Sequence, residues 1–248
     1  MAGFWQTCAL ITCITFNPMT CIYSWFCMIV TVVMMPLVIY SCKADQKPLP
    51  APVQSPSTPA MVDQIDFDTS LWIELKAEDG YVIDMRYATE DNFVKEAIYP
   101  CARFFLRPEV ASALAEVSKT LLPQGYKLKL FDGYRPRPAQ QKLWDKVPNP
   151  DYVAPPKEGS MHNRGVAIDL SLTDLNGKEI DMGTTYDFFG PEAHRDYQNL
   201  PQQILDHRRV LRMAMEAHGF QSIRTEWWHF SFTRGSYPLD DWQWKCLN

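Results

Sequence analysis

Charge is missing from the start of this chain: between Met1 and Cys42 there is no Asp, Glu, Lys or Arg, so every charged residue lies downstream. A segment of that kind does not belong to the core of a soluble domain. Dense Lys/Arg clusters are also lacking, and with a net charge of -5 the chain has no electrostatic footprint for nucleic acid. There is no internal repeat. Cysteines in metal-type CxxC spacing are absent too: of seven, Cys8, Cys13, Cys21 and Cys27 fall in the apolar leader and Cys42 closes it, which leaves Cys101 and Cys246. Those two can pair in an oxidising compartment or stay as buried thiols, and their positions in the sequence leave both readings open.

What is present suits one packed domain with additions, since 46% of the 248 residues are hydrophobic. The run from Met19 through "SWFCMIVTVVMMPLVIY" is long enough to cross a bilayer as a helix, which takes roughly 20 apolar residues. It closes on Ile39-Tyr40-Ser41-Cys42, which looks like a bacterial lipoprotein signal with Cys42 as the lipidated residue. Tyr40 is bulky for that pattern, and no basic residue precedes the run. Lys43 and Lys47 come after it, against the usual charge asymmetry. The competing reading is an uncleaved membrane anchor, and both readings export the downstream domain. Residues 43–64, "KADQKPLPAPVQSPSTPAMVDQ", are rich in proline and short polar side chains and read as an extended tether. The expected organisation is a signal or anchor over 1–42, a tether over 43–64 and a catalytic domain over 65–248.

Within that domain Val110, Leu114, Val117 and Leu121 recur at helical spacing after Pro108, and Pro123 and Gly125 stop the pattern. "YKLKLFDG" then alternates Leu128 and Leu130 with Lys127 and Lys129, as a half-buried strand does. A second helix is expected at about 137–146. "GVAIDLSL" and "EWWHFSF" read as strands from their β-branched and aromatic content. "LPQQILDHRRVLRMAMEAHGF" between them reads as a helix closed by Gly219. Strands and helices do not alternate regularly, so the expected fold is α+β, with a mixed or antiparallel central sheet flanked by helices.

The chemistry concentrates in "SMHNRGVAID" and "EWWHF". A hydrolytic zinc site takes three ligands from His and Asp/Glu and leaves one position for water, and His162, Asp169 and His229 meet that count. His162 and Asp169 are an odd number of residues apart, so a regular strand would point them to opposite faces. Gly165 is the candidate for a kink or bulge that breaks the period, with His162 on a loop and Asp169 in the strand. Glu226 and His229 sit in an aromatic, non-helical segment, unlike the helical HExxH of other zinc peptidases. Glu226 just before the strand has the place of a general base. Arg135, in "FDGYRP", carries a permanent charge whose fork suits an oxyanion or a carboxylate. His207 and His218 read as structural, and His194 as a solvated loop residue.

Five pieces in order, "DMRYATEDNF", "FDGYRP", "SMHNRGVAIDL", "DMGTTYDFFG" and "EWWHF", carry a resemblance to the D-alanyl-D-alanine dipeptidases. These are zinc peptidases related in fold to D,D-carboxypeptidases and to the hedgehog signalling domain. The resemblance covers nearly all of residues 70 to 235. It implies one zinc per chain on His162, Asp169 and His229, with Glu226 as acid/base and Arg135 stabilising the tetrahedral intermediate. It also implies that Ser160 and Asp187 hold the free amino group of D-Ala-D-Ala. Tyr87 is either a pocket wall or a buried structural tyrosine. A D,D-carboxypeptidase acting on longer wall peptides and a non-catalytic, zinc-stabilised envelope module are the alternatives, and Glu226 and Arg135 argue against the second. The expected location is the periplasm or cell envelope, attached through the N-terminal segment or lipid.

Overall fold

The structure is a computed structural model that describes residues 65–247; the leader, Cys42 and the tether lie outside the described residues. In chain order these form β1 (Ile73–Leu75), β2 (Val82–Ile83), β3 (Phe104–Leu106), α1 (Pro108–Leu121), β4 (Tyr126–Asp132) and α2 (Arg137–Lys146). Next come β5 (Ala167–Asp174), α3 (Gln202–Ala217), β6 (Phe220–Ser222) and β7 (His229–Phe232). Five strands make one sheet in the order β2-β4-β5-β7-β6. Only β2–β4 is parallel; β4–β5, β5–β7 and β6–β7 are antiparallel. The mixed sheet expected from the irregular alternation is therefore present. β1 and β3 form a separate antiparallel pair.

Helix α1 arises from its spacing: Val110, Leu114, Val117 and Leu121 are buried together, Pro108 occupies the first turn, and Gly125 ends the following one-turn 3-10 helix at φ +88°. Packing of α1 against β4 and α3, and of α3 against β6, places the helical layer over the sheet. Leu128 and Leu130 of β4 stand opposite Leu172 and Leu170 of β5, and Ile168 stands opposite Phe230 of β7. These apolar residues join α1 and α3 in one buried core. The other face of β5 carries Ala167, Asp169, Ser171 and Thr173, which are small or polar, and this face turns toward the chemistry.

Two expectations need correction. β4 is not half-buried: from Leu128 to Asp132 every residue is buried, because β2 and β5 flank it and Lys129 is held by Asp84 and Glu179. The aromatic strand begins at His229, with Trp227 and Trp228 in the preceding turn. Gly219, at φ +93°, closes α3 as expected, and the chain then enters β6, whose three residues are too few to show a period. β1 to β3 escape sequence reading for the same reason.

Candidate active site

Asp169 and His229 are directly opposed residues of β5 and β7, so their side chains project from the same face. The His229 Nδ1 to Asp169 Oδ1 separation is 2.9 Å. His162 arrives from outside the sheet. It opens a one-turn 3-10 helix (His162–Arg164) that Gly165 terminates at φ +72°. An added Cβ at Gly165 would stand 2.5 Å from the Trp72 ring. The position of His162 on a short helix replaces the expected loop. Gly165 does reverse the chain as its freedom suggests, but the bulge lies on β4, between Leu130 and Asp132.

His162 Nε2 lies 3.2 Å from His229 Nδ1 and 3.4 Å from Asp169 Oδ2. Ligand atoms on a tetrahedral zinc at about 2.0–2.1 Å stand roughly 3.3 Å from one another, so this donor set fits the ion in kind and in spacing. The outer nitrogens are also set. His162 Nδ1 donates to the Gly133 carbonyl (2.8 Å), which leaves Nε2 with its lone pair, and His229 Nε2 meets Ser231 Oγ (3.1 Å). The Tyr186 hydroxyl donates to Asp169 Oδ2 at 3.0 Å. Although burial opposes its charge, the two imidazoles hold the Asp169 carboxyl well below the usual range.

Glu226 stands beside this trio, its Oε2 3.9 Å from His229 Nδ1. Burial pushes its carboxyl up to about 7, with His229 and Arg135 opposing and Asp169 adding to the rise. Arg135 is fixed by its neighbours: Nε and Nη2 donate to Asp132 Oδ2 (2.9 and 2.6 Å), and Nη1 donates to Gln140 Oε1 (2.9 Å). Three of its five N–H groups are thus engaged and two remain. Nη2 lies 3.8 Å from Asp169 Oδ2, which puts the free edge of the fork at the centre. Backbone bonds clip the two segments together: Arg135 N donates to the His162 carbonyl (3.1 Å), and Asn163 Nδ2 donates to the Arg135 carbonyl (2.6 Å).

Asp187 adopts φ +57°, a left-handed conformation that aspartate tolerates better than most residues. The Tyr87 hydroxyl donates to its Oδ2 at 3.0 Å. Burial, reinforced by Asp169, raises the Asp187 carboxyl well above the usual carboxylate range. Ser160 has its amide on Asn163 Oδ1 (2.7 Å) and its hydroxyl 3.5 Å from Gln140 Oε1. One cavity of about 380 Å³ is lined by Tyr87, Arg135, Ser160, His162, Asp169, Asp187, Glu226 and His229. Every residue singled out in the domain for the site therefore reaches one cleft. Tyr87 satisfies both of its readings, being buried and on the cleft wall.

The other histidines stay apart: His207 meets the Asp181 carbonyl, His218 meets Thr120, and His194 meets Arg224. Among the described residues, His162, Asp169 and His229 are the grouping with metal-ligand geometry.

Comparison with known proteins adds the family. The model of the D-Ala-D-Ala dipeptidase family, peptidase family M15, matches residues 75–243. The chain belongs to that family. The D-alanyl-D-alanine dipeptidase of Escherichia coli K12 is 38% identical over 166 residues, covering 66% of this chain and 86% of the relative. That of Enterococcus faecalis V583 is 34% identical over 179 residues, covering 62% and 87%. A solved vancomycin-resistance D,D-dipeptidase with a bound D-Ala-D-Ala phosphinate analogue is 20% identical, with 65% of this chain and 66% of that chain covered at a TM-score of 0.35.

In this dipeptidase-family chain, three polar residues that support the cleft escaped sequence reading: Asp132, Gln140 and Tyr186. Asp132 is fully buried and accepts from Tyr99 (2.7 Å), the Gly133 amide (3.0 Å) and Arg135. It lies inside "FDGYRP", so an acid three residues before a site arginine was the available signal. Tyr186 lies inside "DMGTTYDFFG" beside Asp187, so its place in that motif was the signal, whereas Gln140 offered none, because only the fold brings it near Arg135.

Proposed function

We propose that this family member hydrolyses D-Ala-D-Ala to two D-alanines with one zinc per chain, held by His162, Asp169 and His229. The observation that carries the reading is the pairing, in one cleft, of that donor set with Glu226 on one side and the Tyr87–Asp187 pair on the other. Bound zinc supplies polarisation of the scissile carbonyl and acidification of the attacking water. The chain's residues do the rest. Asp187 receives the substrate ammonium, with Tyr87 and Ser160 fixing its orientation. Glu226 takes a proton from water and returns it to the leaving amine. The two free N–H groups of Arg135 offset charge on the carbonyl oxygen, and Asp132 and Gln140 hold that fork in place without needing to reorganise.

A carboxylate reserved for an ammonium selects short substrates, since a longer N-terminal extension leaves it without a partner. Wild type and Glu226→Ala are to be compared with D-Ala-D-Ala and a wall pentapeptide, alongside metal content. The expected result is dipeptide cleavage that falls about 10²–10⁴-fold in the variant while metal is retained. Cleavage of the pentapeptide alone would make the enzyme a D,D-carboxypeptidase, and bound metal with no cleavage would make it a binding module.

Export is part of the same proposal. A charge-free leader precedes the domain, and Cys101 and Cys246 form a disulfide, a bond that persists in oxidising compartments. The leader itself, as an anchor or through lipid on Cys42, lies outside the described residues. Among the described residues no helix is long and apolar enough to cross a membrane. An exported enzyme would clear or salvage D-Ala-D-Ala released during peptidoglycan turnover. Cell fractionation that found the processed protein in the cytosol would overturn this location.

A further inference from the structure

A second cavity, of about 190 Å³, lies apart from the catalytic residues and is lined by Arg195, Arg208, Arg209 and Arg212 together with Trp227 and Ser222. Four arginines thus line one small space in a chain of net charge -5. Among the described residues, Arg209 is the one of the four that forms an ion pair. Arg208 is buried at 8% exposure, and its three hydrogen bonds go to the backbone carbonyls of Met182 (2.7 Å), Glu192 (3.0 Å) and His194 (3.3 Å). Arg195 donates to the carbonyl and hydroxyl of Ser222 at 3.4 and 3.1 Å. Arg212 makes neither a side-chain hydrogen bond nor an ion pair among the described residues. The acids nearby are Asp181, which acts on Arg208 through space without a hydrogen bond to it, Asp206, in an exposed pair with Arg209 (2.8 Å), and Glu216, which accepts the Ser222 hydroxyl (2.9 Å). An exposed pair of that kind contributes little.

A buried cation without a counter-ion costs free energy unless an anion completes the site. Burial lowers Arg208 to about 10, with the charge of Asp181 opposing that fall only in part. The cavity is smaller than the roughly 300 Å³ from which sites for drug-sized ligands begin, so it suits one compact group. Arginine forks match phosphate oxygens two at a time, and a tetrahedral anion can engage several forks that a planar carboxylate cannot.

We infer that this cavity is a binding site for a phosphate group, separate from the catalytic cleft and independent of its assignment. Two sources share that chemistry: free phosphate and the headgroup of an anionic phospholipid. The Trp227 ring, 5.6 Å from the Arg208 guanidinium, forms one wall, and its backbone adjoins Glu226.

The test is calorimetric titration of the full chain in neutral detergent at fixed chloride, with inorganic phosphate and separately with glycerophosphoglycerol, a deacylated lipid headgroup. Wild type is compared with Arg195→Gln/Arg212→Gln, before and after chelation of metal. Saturable binding that weakens about tenfold or more in the double variant and persists after chelation is expected. Tighter binding of the glycerol diester assigns the site to a lipid headgroup; tighter binding of phosphate assigns it to the free ion. No saturable binding of either, equal binding by both proteins, or binding lost on chelation would overturn the site. Unchanged thermal unfolding verifies that the double variant is folded, and the single Arg212→Gln variant replaces it otherwise.

Discussion

Burial makes a charge on Asp187 costly, and on the proposed reading the substrate ammonium would offset that cost. Its carboxyl is raised first by burial, a cause that bound metal does not cancel, and then by Asp169. For a group whose folded value exceeds the unfolded 3.8, the associated stability is fully present below that value and is lost as pH rises through the folded one. Asp187→Asn should therefore melt at a higher temperature than wild type without substrate, by a margin that widens from pH 5 to pH 8. Asparagine also tolerates the left-handed backbone at this position. The same variant should raise KM for D-Ala-D-Ala about tenfold or more, because the ammonium loses its counter-charge. Melting curves at the two pH values and steady-state kinetics check both halves; equal melting at pH 8 would show that Asp187 is not strained by its charge. The residue was legible in "YDFF" only through family resemblance; Tyr87 was singled out too, but its hydrogen bond to Asp187 across 100 positions was not legible.

At the scale of elements, the turn after β4 carries a large share of the site. The bulge between Leu130 and Asp132 lets Asp132 oppose Asp169, and Gly133 comes at once with its carbonyl on His162 Nδ1. An added Cβ at Gly133 would stand 2.7 Å from the Phe104 ring and 2.9 Å from the Phe105 carbonyl, contacts that force the backbone to move. Gly133→Ala should consequently weaken zinc affinity by about 10–100-fold, the usual effect of losing an outer hydrogen bond to a metal-binding histidine. Metal competition with a chromogenic chelator measures it, and an affinity equal to wild type would show that β3 yields instead of the turn. Sequence reading found α1, α2 and α3 because ten or more residues are enough to display a period and its stops. It missed β1, β2, β3 and β6, which have two or three residues each. It also placed the irregularity at Gly165, since a glycine is visible in sequence and a change of register between two strands is not.

For the whole molecule, the Cys101–Cys246 disulfide closes a long covalent loop, with a sequence separation of 145. It fastens the C-terminal segment, where Trp244 packs 5.0 Å from Tyr99 and the Lys245 carbonyl accepts from Arg103 (2.7 Å). Cross-links over loops of this length act largely on the unfolded chain, so Cys246→Ser should lower unfolding free energy by about 2–5 kcal/mol and leave the metal centre able to bind zinc. Denaturant unfolding of wild type and variant checks it; equal midpoints with and without reductant would mean that the bond contributes nothing.

The sequence by itself determined the kind of chemistry: the identities of His162, Asp169, Glu226 and His229 stand in short local motifs, and three helices arise from local periodicity. Only the tertiary structure decided which atoms meet. That Nδ1 of His229 and Nε2 of His162 face each other, that Asp132 and Gln140 hold Arg135, that the two domain cysteines pair and that four arginines share a cavity all depend on contacts between segments distant in the chain. Local pattern carries no distance between such segments; packing of the sheet against its helices sets it.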